Sequence, residues 1–267
     1  MSRVKFAIAF SWGLLLLVCG PLYAQQTNLN DLKKSEEQAM AVLKRMAGML
    51  SQAKSFSVTI EAGFDAVQES GQKIEFGETR KVVLRRPNHF RVDTTKRDGS
   101  KDGVVFDGKN ITVFHVKENV YATTVKPGSV DDALAFIVRD LDMRLPLAEM
   151  LNSNLEKSLQ QKVKSAAYVE QSSIGGIPAD HVAFRGDEAD LQLWVAREKQ
   201  ALPRRIVITY KQADGRPQFW AQFSDWNFSP QAADSLFTYT PAKDAVKIAF
   251  SPRQAAQIGN VGAKGAQ

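Results

Sequence analysis

The feature that most constrains the fold is a two-residue alternation of apolar and polar side chains along most of the chain. In residues 56–66, for example, Phe56, Val58 and Ile60 alternate with polar neighbours. Because successive side chains of a strand point to opposite faces of a sheet, this pattern predicts a half-buried β-strand. Ten further segments read as strands in the same way: residues 74–84, 89–95, 103–106, 110–116, 120–125, 162–171, 179–185, 191–197, 204–211 and 218–228.

Short turn sequences separate these segments and predict how the strands pair. Asp107-Gly108 and Asp214-Gly215 are strong hairpin signals. Sequential hairpins predict an antiparallel meander, and a sheet of about eleven strands has to curl or close on itself. We therefore expect a mainly β (α+β) fold: a strongly curved, incompletely closed antiparallel β-barrel of about eleven strands with helices against its concave face.

Two regions switch to the three- and four-residue spacing that is typical of helices. Residues 30–53 form the first, and one apolar stripe along them indicates a surface helix that covers the sheet. The second is an insertion after the sixth strand. It comprises residues 130–140, capped by Ser129, and a shorter helix that Pro146 opens and that runs through Leu151.

The N-terminus has the three parts of a secretory signal peptide. Arg3 and Lys5 supply the positive charge, residues 6–18 form an apolar run, and Ala24 is the expected cleavage point. The apolar run is too short to span a bilayer in the usual way, although a retained membrane anchor is the alternative. Residues 1–24 therefore predict export and a periplasmic location.

Cysteine usage narrows the chemistry that is available to the mature chain. Cys19 lies inside the predicted signal peptide, and Val18 before it departs from the small residue that a lipoprotein signal requires. Cleavage after Ala24 would leave no thiol for disulfides, metal ligation or catalysis. What remains is predicted to be one half-barrel domain, residues 25–242, and a loosely ordered tail, residues 243–267.

Several short motifs in a fixed order carry a resemblance to a known family. They are Arg85-Arg86-Pro87-Asn88-His89-Phe90-Arg91, Phe106-Asp107-Gly108-Lys109, Leu191-Gln192-Leu193-Trp194-Val195 with Leu202-Pro203-Arg204-Arg205-Ile206, and Leu236-Phe237-Thr238-Tyr239-Thr240-Pro241. Together they resemble the LolA-like superfamily of periplasmic lipoprotein carriers, and more closely an uncharacterised family of predicted periplasmic proteins with that fold. The resemblance implies a concave face that holds acyl chains, but no single cargo-contacting residue transfers.

The residues that usually carry catalysis form no recognisable motif. His89, His115 and His181 lie on separate predicted strands without a metal-ligand partner at short spacing, although distant strands could still bring such groups together. Neither a nucleophile elbow, a phosphate-binding glycine loop nor a zinc-protease helix is present. We expect no catalytic residues, no metal and no cofactor, and an enzyme ranks third among the functional hypotheses.

A cluster of basic residues around the second and third strands has two interpretations. Arg80, Arg85, Arg86 and Arg91 either form a solvated face with acidic partners on neighbouring strands, or a basic rim that meets an anionic membrane surface or an acidic partner. Nucleic acid is not expected, because the aromatic residues do not interleave with the basic ones as a stacking platform requires.

The apolar face of the predicted sheet is the main functional candidate. An ordinary core is one interpretation of these residues; the case for a ligand cavity is geometric, because a wide curved sheet has more concave apolar surface than a few helices fill. We therefore expect a monomeric, non-enzymatic carrier of a hydrophobic ligand or a lipidated protein; the alternative is a cell-envelope protein-interaction module with a self-filled barrel. The predicted ligand-lining residues are Phe56, Val58, Ile60, Phe64, Ile74, Phe76, Val82, Leu84, Phe90 and Trp194.

Overall fold

The computed structural model describes residues 29–141 and 147–250. The predictions for the signal peptide (residues 1–24), for Cys19 and for Pro146 lie outside the described residues. Twelve strands of the described chain form one sheet. They are β1 (Ser55–Val67), β2 (Lys73–Arg85), β3 (His89–Lys96), β4 (Lys101–Phe106), β5 (Asn110–His115), β6 (Val120–Val125), β7 (Ser165–Ile174), β8 (Ile177–Arg185), β9 (Ala189–Ala196), β10 (Pro203–Tyr210), β11 (Gln218–Asn227) and β12 (Val246–Lys247).

The strand order confirms the predicted antiparallel sheet but divides it into two meanders, β1–β6 and β7–β11, which are joined by the pairing of β1 with β11. Neighbours in the sheet run β12-β6-β5-β4-β3-β2-β1-β11-β10-β9-β8-β7, and every pair is antiparallel except β12 with β6. Strand β1 joins two arms, because Ile60 lies opposite Arg80 of β2 and also opposite Phe223 of β11. We call β2–β6 with β12 the first arm and β7–β11 the second arm. The outer strands β12 and β7 are not paired with each other, so the barrel is incompletely closed.

Helices lie against the concave, inner face of this sheet, as predicted. They are α1 (Leu29–Gln52), α2 (Val130–Arg139) and α3 (Leu155–Lys162), with 3₁₀ turns at Ala148–Leu151 and Asp234–Phe237. Ser129 caps α2 through a capping box, in which its hydroxyl accepts the Asp132 N–H and the Asp132 carboxylate accepts the Ser129 N–H. Within residues 29–141 and 147–250, no helix combines the length and the apolar character needed to cross a membrane.

Two elements differ from the sequence-based expectation. Helix α3 was not predicted, because Leu155 is its one buried residue and the segment has no apolar periodicity to detect. The shorter predicted helix of the insertion is a 3₁₀ turn, Ala148–Leu151. In the predicted tail, Val246–Lys247 pairs in parallel with β6, while residues 251–267 lie outside the described part of the chain.

One hydrophobic core connects both arms to the helices. The buried face of α1, which includes Leu43, Met46 and Leu50, belongs to the same cluster as Phe90 of the first arm and Leu193 of the second. These positions alternate along the strands as the two-residue pattern requires. The core therefore fixes which strand residues point inward, and it defines the inner face on which the site lies.

The C-terminal segment covers the outer face of the first arm. Arg85 donates to the Ala232 carbonyl at 2.8 Å, and Arg91 donates to the Leu236 carbonyl at 3.1 Å. Further along, Tyr239 stacks on the Phe114 ring with 4.4 Å between centroids. We call residues 232–247 the C-terminal strap. The strap ends in β12, which pairs with β6. It therefore covers the outside of the first arm as far as the edge of the sheet.

Candidate ligand-binding site

A partly open cavity lies between the inner face of the sheet and the short helical elements. Its floor comes from β1–β4 and β11, and its roof from Leu134 of α2 together with Met150 and Leu151 of the 3₁₀ turn. The cavity volume is about 70 Å³. A single buried water needs roughly 10–15 Å³ on the same measure, so this space would take several waters or a short section of hydrocarbon chain.

The register of the sheet explains the chemistry of the cavity floor. Residues that face each other across β2, β3, β4 and β5 form rows, and each row lies two residues along the strand from the next. Two rows are apolar, and the next is polar. From the deepest outward, the rows are Leu84-Phe90-Phe106-Ile111, Val82-Val92-Val104-Val113 and Arg80-Thr94-Asp102-His115. The floor therefore changes from apolar to charged within one two-residue step.

Glu78 and Arg80 form an ion pair at the polar end of the cavity. They are two residues apart on β2, which places both side chains on the inner face. The Arg80 Nε donates to the Glu78 Oε1 at 2.6 Å, and a guanidinium Nη2 contacts the same carboxylate oxygen. Only 8% of the Glu78 side chain and 15% of the Arg80 side chain are exposed. Each charge is thus neutralised by the other where little water is available.

Asp102 holds a second ion pair on the neighbouring strands. Its carboxylate lies 2.7 Å from the Lys96 Nζ and 2.7 Å from the His115 Nδ1, and its side chain is 4% exposed. Burial alone would raise the pKa of Asp102, but the hydrogen bonds and charges of His115 and Lys96 outweigh it and lower the pKa. Asp102 is therefore an ionised carboxylate at neutral pH, and the His115 Nδ1–H is the donor.

The same region contains a geometric candidate for a metal site. Ligand atoms of Asp102, His115 and Glu118 all lie within 4.8 Å of one another. The Asp102 carboxylate is already bound to the Lys96 ammonium, so a metal ion would have to displace a cation at 2.7 Å. The arrangement is thus an ion-pair network centred on the buried Asp102 carboxylate.

Five of the ten predicted ligand-lining residues lie in the cavity wall: Phe56, Val58, Ile60, Val82 and Phe90. They come from three adjacent strands that share the inner face, which is the geometry that the alternation predicts.

The other five predicted residues lie elsewhere. Leu84 is fully buried in the deepest row of the core. Phe64, Ile74 and Phe76 lie beyond the polar row near the β1–β2 turn, where 40% of Ile74 and 42% of Phe76 are exposed. Trp194 is on the outer face, because it alternates with the inward-facing residues of β9, and it stacks on the His181 ring at 4.0 Å. Residues that follow the same apolar alternation in the sequence therefore need not line the same cavity.

The four arginines of the predicted basic rim do not come together. Arg80 faces the cavity, whereas Arg85 and Arg91 face outward, where both bind the C-terminal strap. Arg86 is at the corner between β2 and β3. There its Nε donates to the Ala53 carbonyl at 3.1 Å, and burial lowers its pKa although Asp131 acts in the opposite direction. The rim prediction fails because odd and even positions of a strand point to opposite faces.

The cavity also contains residues that the sequence analysis did not assign to a site. Trp226 is the clearest case, because strict alternation from Phe223 would turn it outward. A register shift opposite Ser57 and Thr59, with a positive φ of 53° at Asp225, turns Trp226 to the inner face instead. The Trp226 ring packs 5.4 Å from Phe56 between centroids. A bulge of this kind is not visible in the hydrophobic pattern.

An incompletely closed barrel with helices on its concave face and a partly open cavity beneath them defines the structural class as a half-barrel with an internal site. The chain belongs to the DUF2092 family of predicted periplasmic proteins, whose family model matches residues 39–251. This membership confirms the resemblance to a predicted periplasmic family that the sequence motifs indicated.

Solved structures with a similar fold include LprF of Mycobacterium bovis, with 12% identity and a TM-score of 0.48 over 78% of this chain and 99% of LprF. The lipoprotein LppX of Mycobacterium tuberculosis has 15% identity and a TM-score of 0.46 over 72% of this chain and 97% of LppX. A LolA superfamily protein of Nitrosomonas europaea has 14% identity and a TM-score of 0.38 over 75% of this chain and 97% of its own. These likenesses concern the fold alone. No curated protein matches the sequence.

Proposed function

We propose that this protein is a periplasmic, non-enzymatic binding protein or carrier for an amphiphile such as a lipid or the acyl chain of a lipidated protein. The observation that supports this proposal is the cavity, whose apolar floor ends in a row of charged side chains. In the proposed complex, the apolar chain lies against Phe56, Phe223 and Trp226. The polar group of the ligand lies near Arg80 and Asp102, at the polar end of the floor.

The size of the cavity determines how such a ligand would be held. Each methylene that leaves water gains about 0.8 kcal/mol, so even a short section of chain contributes to binding. A ligand pocket for a drug-sized molecule measures roughly 300–1,000 Å³. A complete acyl chain would therefore extend through the open side, or would displace the roof formed by α2 and the 3₁₀ turn.

A matched pair of substitutions on β2 tests whether the cavity is the binding site. Val82 forms part of the cavity floor, and its neighbour Val83 points to the outer face. Val82→Phe should fill the cavity and abolish the fluorescence gain of phenylnaphthylamine, an uncharged apolar fluorophore. Val83→Phe should leave it unchanged. The cavity is not the site if both variants bind the fluorophore as well as the unmodified protein does.

Native mass spectrometry of protein purified from the periplasm tests the biological cargo. We expect a chain that begins at Gln25, because we propose that residues 1–24 are removed on export. We also expect an additional mass that lipid extraction removes. A clean unliganded mass together with no uptake of the fluorophore would contradict the carrier and favour the alternative, a protein-interaction module with a self-filled barrel.

A further inference from the structure

The charges at the polar end of the cavity are already matched to one another. Glu78 and Arg80 form one pair, and Asp102 binds Lys96 and His115. A ligand that enters this cavity therefore meets paired charges and not an open cationic or anionic pocket.

A charged headgroup would have to break one of these pairs. An anionic group that approached Arg80 would compete with Glu78, and a successful competitor would leave a carboxylate with 8% exposure beside a second negative charge. A cationic group that approached Asp102 would similarly have to displace the Lys96 ammonium at 2.7 Å. Separating a buried pair is strongly unfavourable, because the remaining charge is left without compensation in a medium of low dielectric constant.

An uncharged hydroxyl group avoids this cost. A carboxylate has about four lone-pair sites on its two oxygens, so Glu78 and Asp102 can accept a further hydrogen bond while they keep their cations. Thr94 lies between Arg80 and Asp102 in the register of the polar row, and its hydroxyl can both donate and accept. The polar end is thus suited to a group that donates and accepts but carries no net charge.

We propose that the ligand has an uncharged, hydroxyl-bearing headgroup of the acylglycerol type. This inference rests on the proposed function and specifies its ligand class. The polar row selects against free fatty acids and against amphiphilic amines, while the apolar rows accept the chain of all three.

Three amphiphiles with the same twelve-carbon chain provide the test: monolauroylglycerol, laurate and dodecylamine, each used below its micelle-forming concentration. Displacement of phenylnaphthylamine reports binding. We expect monolauroylglycerol to bind at least tenfold more tightly than either charged amphiphile. Equal or tighter binding of laurate or dodecylamine would overturn the headgroup assignment and leave the proposed function standing. Failure of all three to displace the fluorophore would contradict the proposed function itself.

Two charge-removing substitutions sharpen this result. Glu78→Gln removes the carboxylate that faces Arg80 and should improve laurate binding at least tenfold, whereas Arg80→Gln should improve dodecylamine binding instead. Glu61→Gln is the matched control, because Glu61 is an exposed residue on the outer face of β1. Thermal unfolding establishes that each variant is folded. If one variant does not fold, the other tests the same pairing. Unchanged preferences in folded variants would overturn the assignment.

Discussion

The two arms of the sheet have the same alternating sequence pattern but are covered differently. In the second arm, the 24-residue helix α1 packs against β7 and β8, and Val182, Leu193 and Val195 are completely buried. In the first arm, the 10-residue α2 and a four-residue 3₁₀ turn form the cover, and Val92 and Ala148 in the cavity wall remain half-buried. The cavity therefore lies beneath the smaller of the two helical covers.

A pair of identical substitutions, one in the second arm and one in the helix that covers the first arm, tests this comparison and has the largest expected effect. Leu193→Ala in the packed second arm should lower the free energy of unfolding by about 4 kcal/mol, because it leaves a new void. Leu134→Ala in α2 should cost only about 2 kcal/mol, because Leu134 already borders open space. Urea denaturation measures both values. Equal losses would mean that the two arms are packed alike.

Acid should weaken the first arm through Asp102. Its pKa is lowered in the folded state by His115 and Lys96, against the effect of burial. The stabilisation is therefore complete above the ordinary pKa of 3.8, and it is lost as the pH falls through the lower folded value. Asp102→Asn should cost about 3 kcal/mol at pH 7, because it leaves the Lys96 charge uncompensated.

Thermal unfolding between pH 7 and pH 2 distinguishes this ion pair from a general acid effect. The Asp102→Asn variant should be less stable at neutral pH but should lose less stability on acidification than the unmodified protein. The same measurement on Asp180→Asn provides a comparison from the second arm, because Asp180 also forms an ion pair there, with Arg45 of α1 at 3.2 Å. Identical acid profiles for the Asp102 variant and the unmodified protein would rule out Asp102 as a source of acid sensitivity.

The order of the strands within each arm could be predicted from the sequence because local signals determine it. The two-residue period predicts the strands β1–β11, and the turns predict the neighbours within β1–β6 and within β7–β11. The pairing of β1 with β11, which joins the two arms, leaves no local signal. The register that builds the polar row was not accessible: a two-residue turn at Asp107-Gly108 would place Asp102 opposite Val113, whereas the observed register pairs Phe106 with Ile111 and Asp102 with His115. A shift of two residues keeps every side chain on the same face but changes which partner it meets.

The rest of the site depends on features that leave no periodic signal. Trp226 lines the cavity because of a bulge, and the roof comes from a 3₁₀ turn that has no helical repeat. Trp194 faces outward, because it alternates with the inward-facing Leu193, although its bulk favours a place in the cavity. To predict a cavity, one has to know which part of the inner face the helices leave uncovered. That depends on the three-dimensional packing of segments that are distant in sequence.

The smallest expected effect comes from a substitution in α1, the helix that covers the second arm. Gly48 lies within α1, and a Cβ atom built there meets no other atom within 4 Å. Gly48→Ala should therefore stabilise the protein by about 0.5–1 kcal/mol, because alanine loses less conformational freedom in a helix.

It is more informative to ask which strands share this gain in stability than to measure its total size. Helix α1 is joined to β7 where the Ser35 hydroxyl accepts the Tyr168 N–H at 2.9 Å. Amide hydrogen exchange under native conditions should therefore slow in β7 and β8 of the Gly48→Ala variant, because α1 packs against these two strands. We expect no change in β4 and β5 of the first arm. Equal slowing in both arms would show that the sheet opens as one unit. In that case, the cavity could not widen independently of the α1 contact.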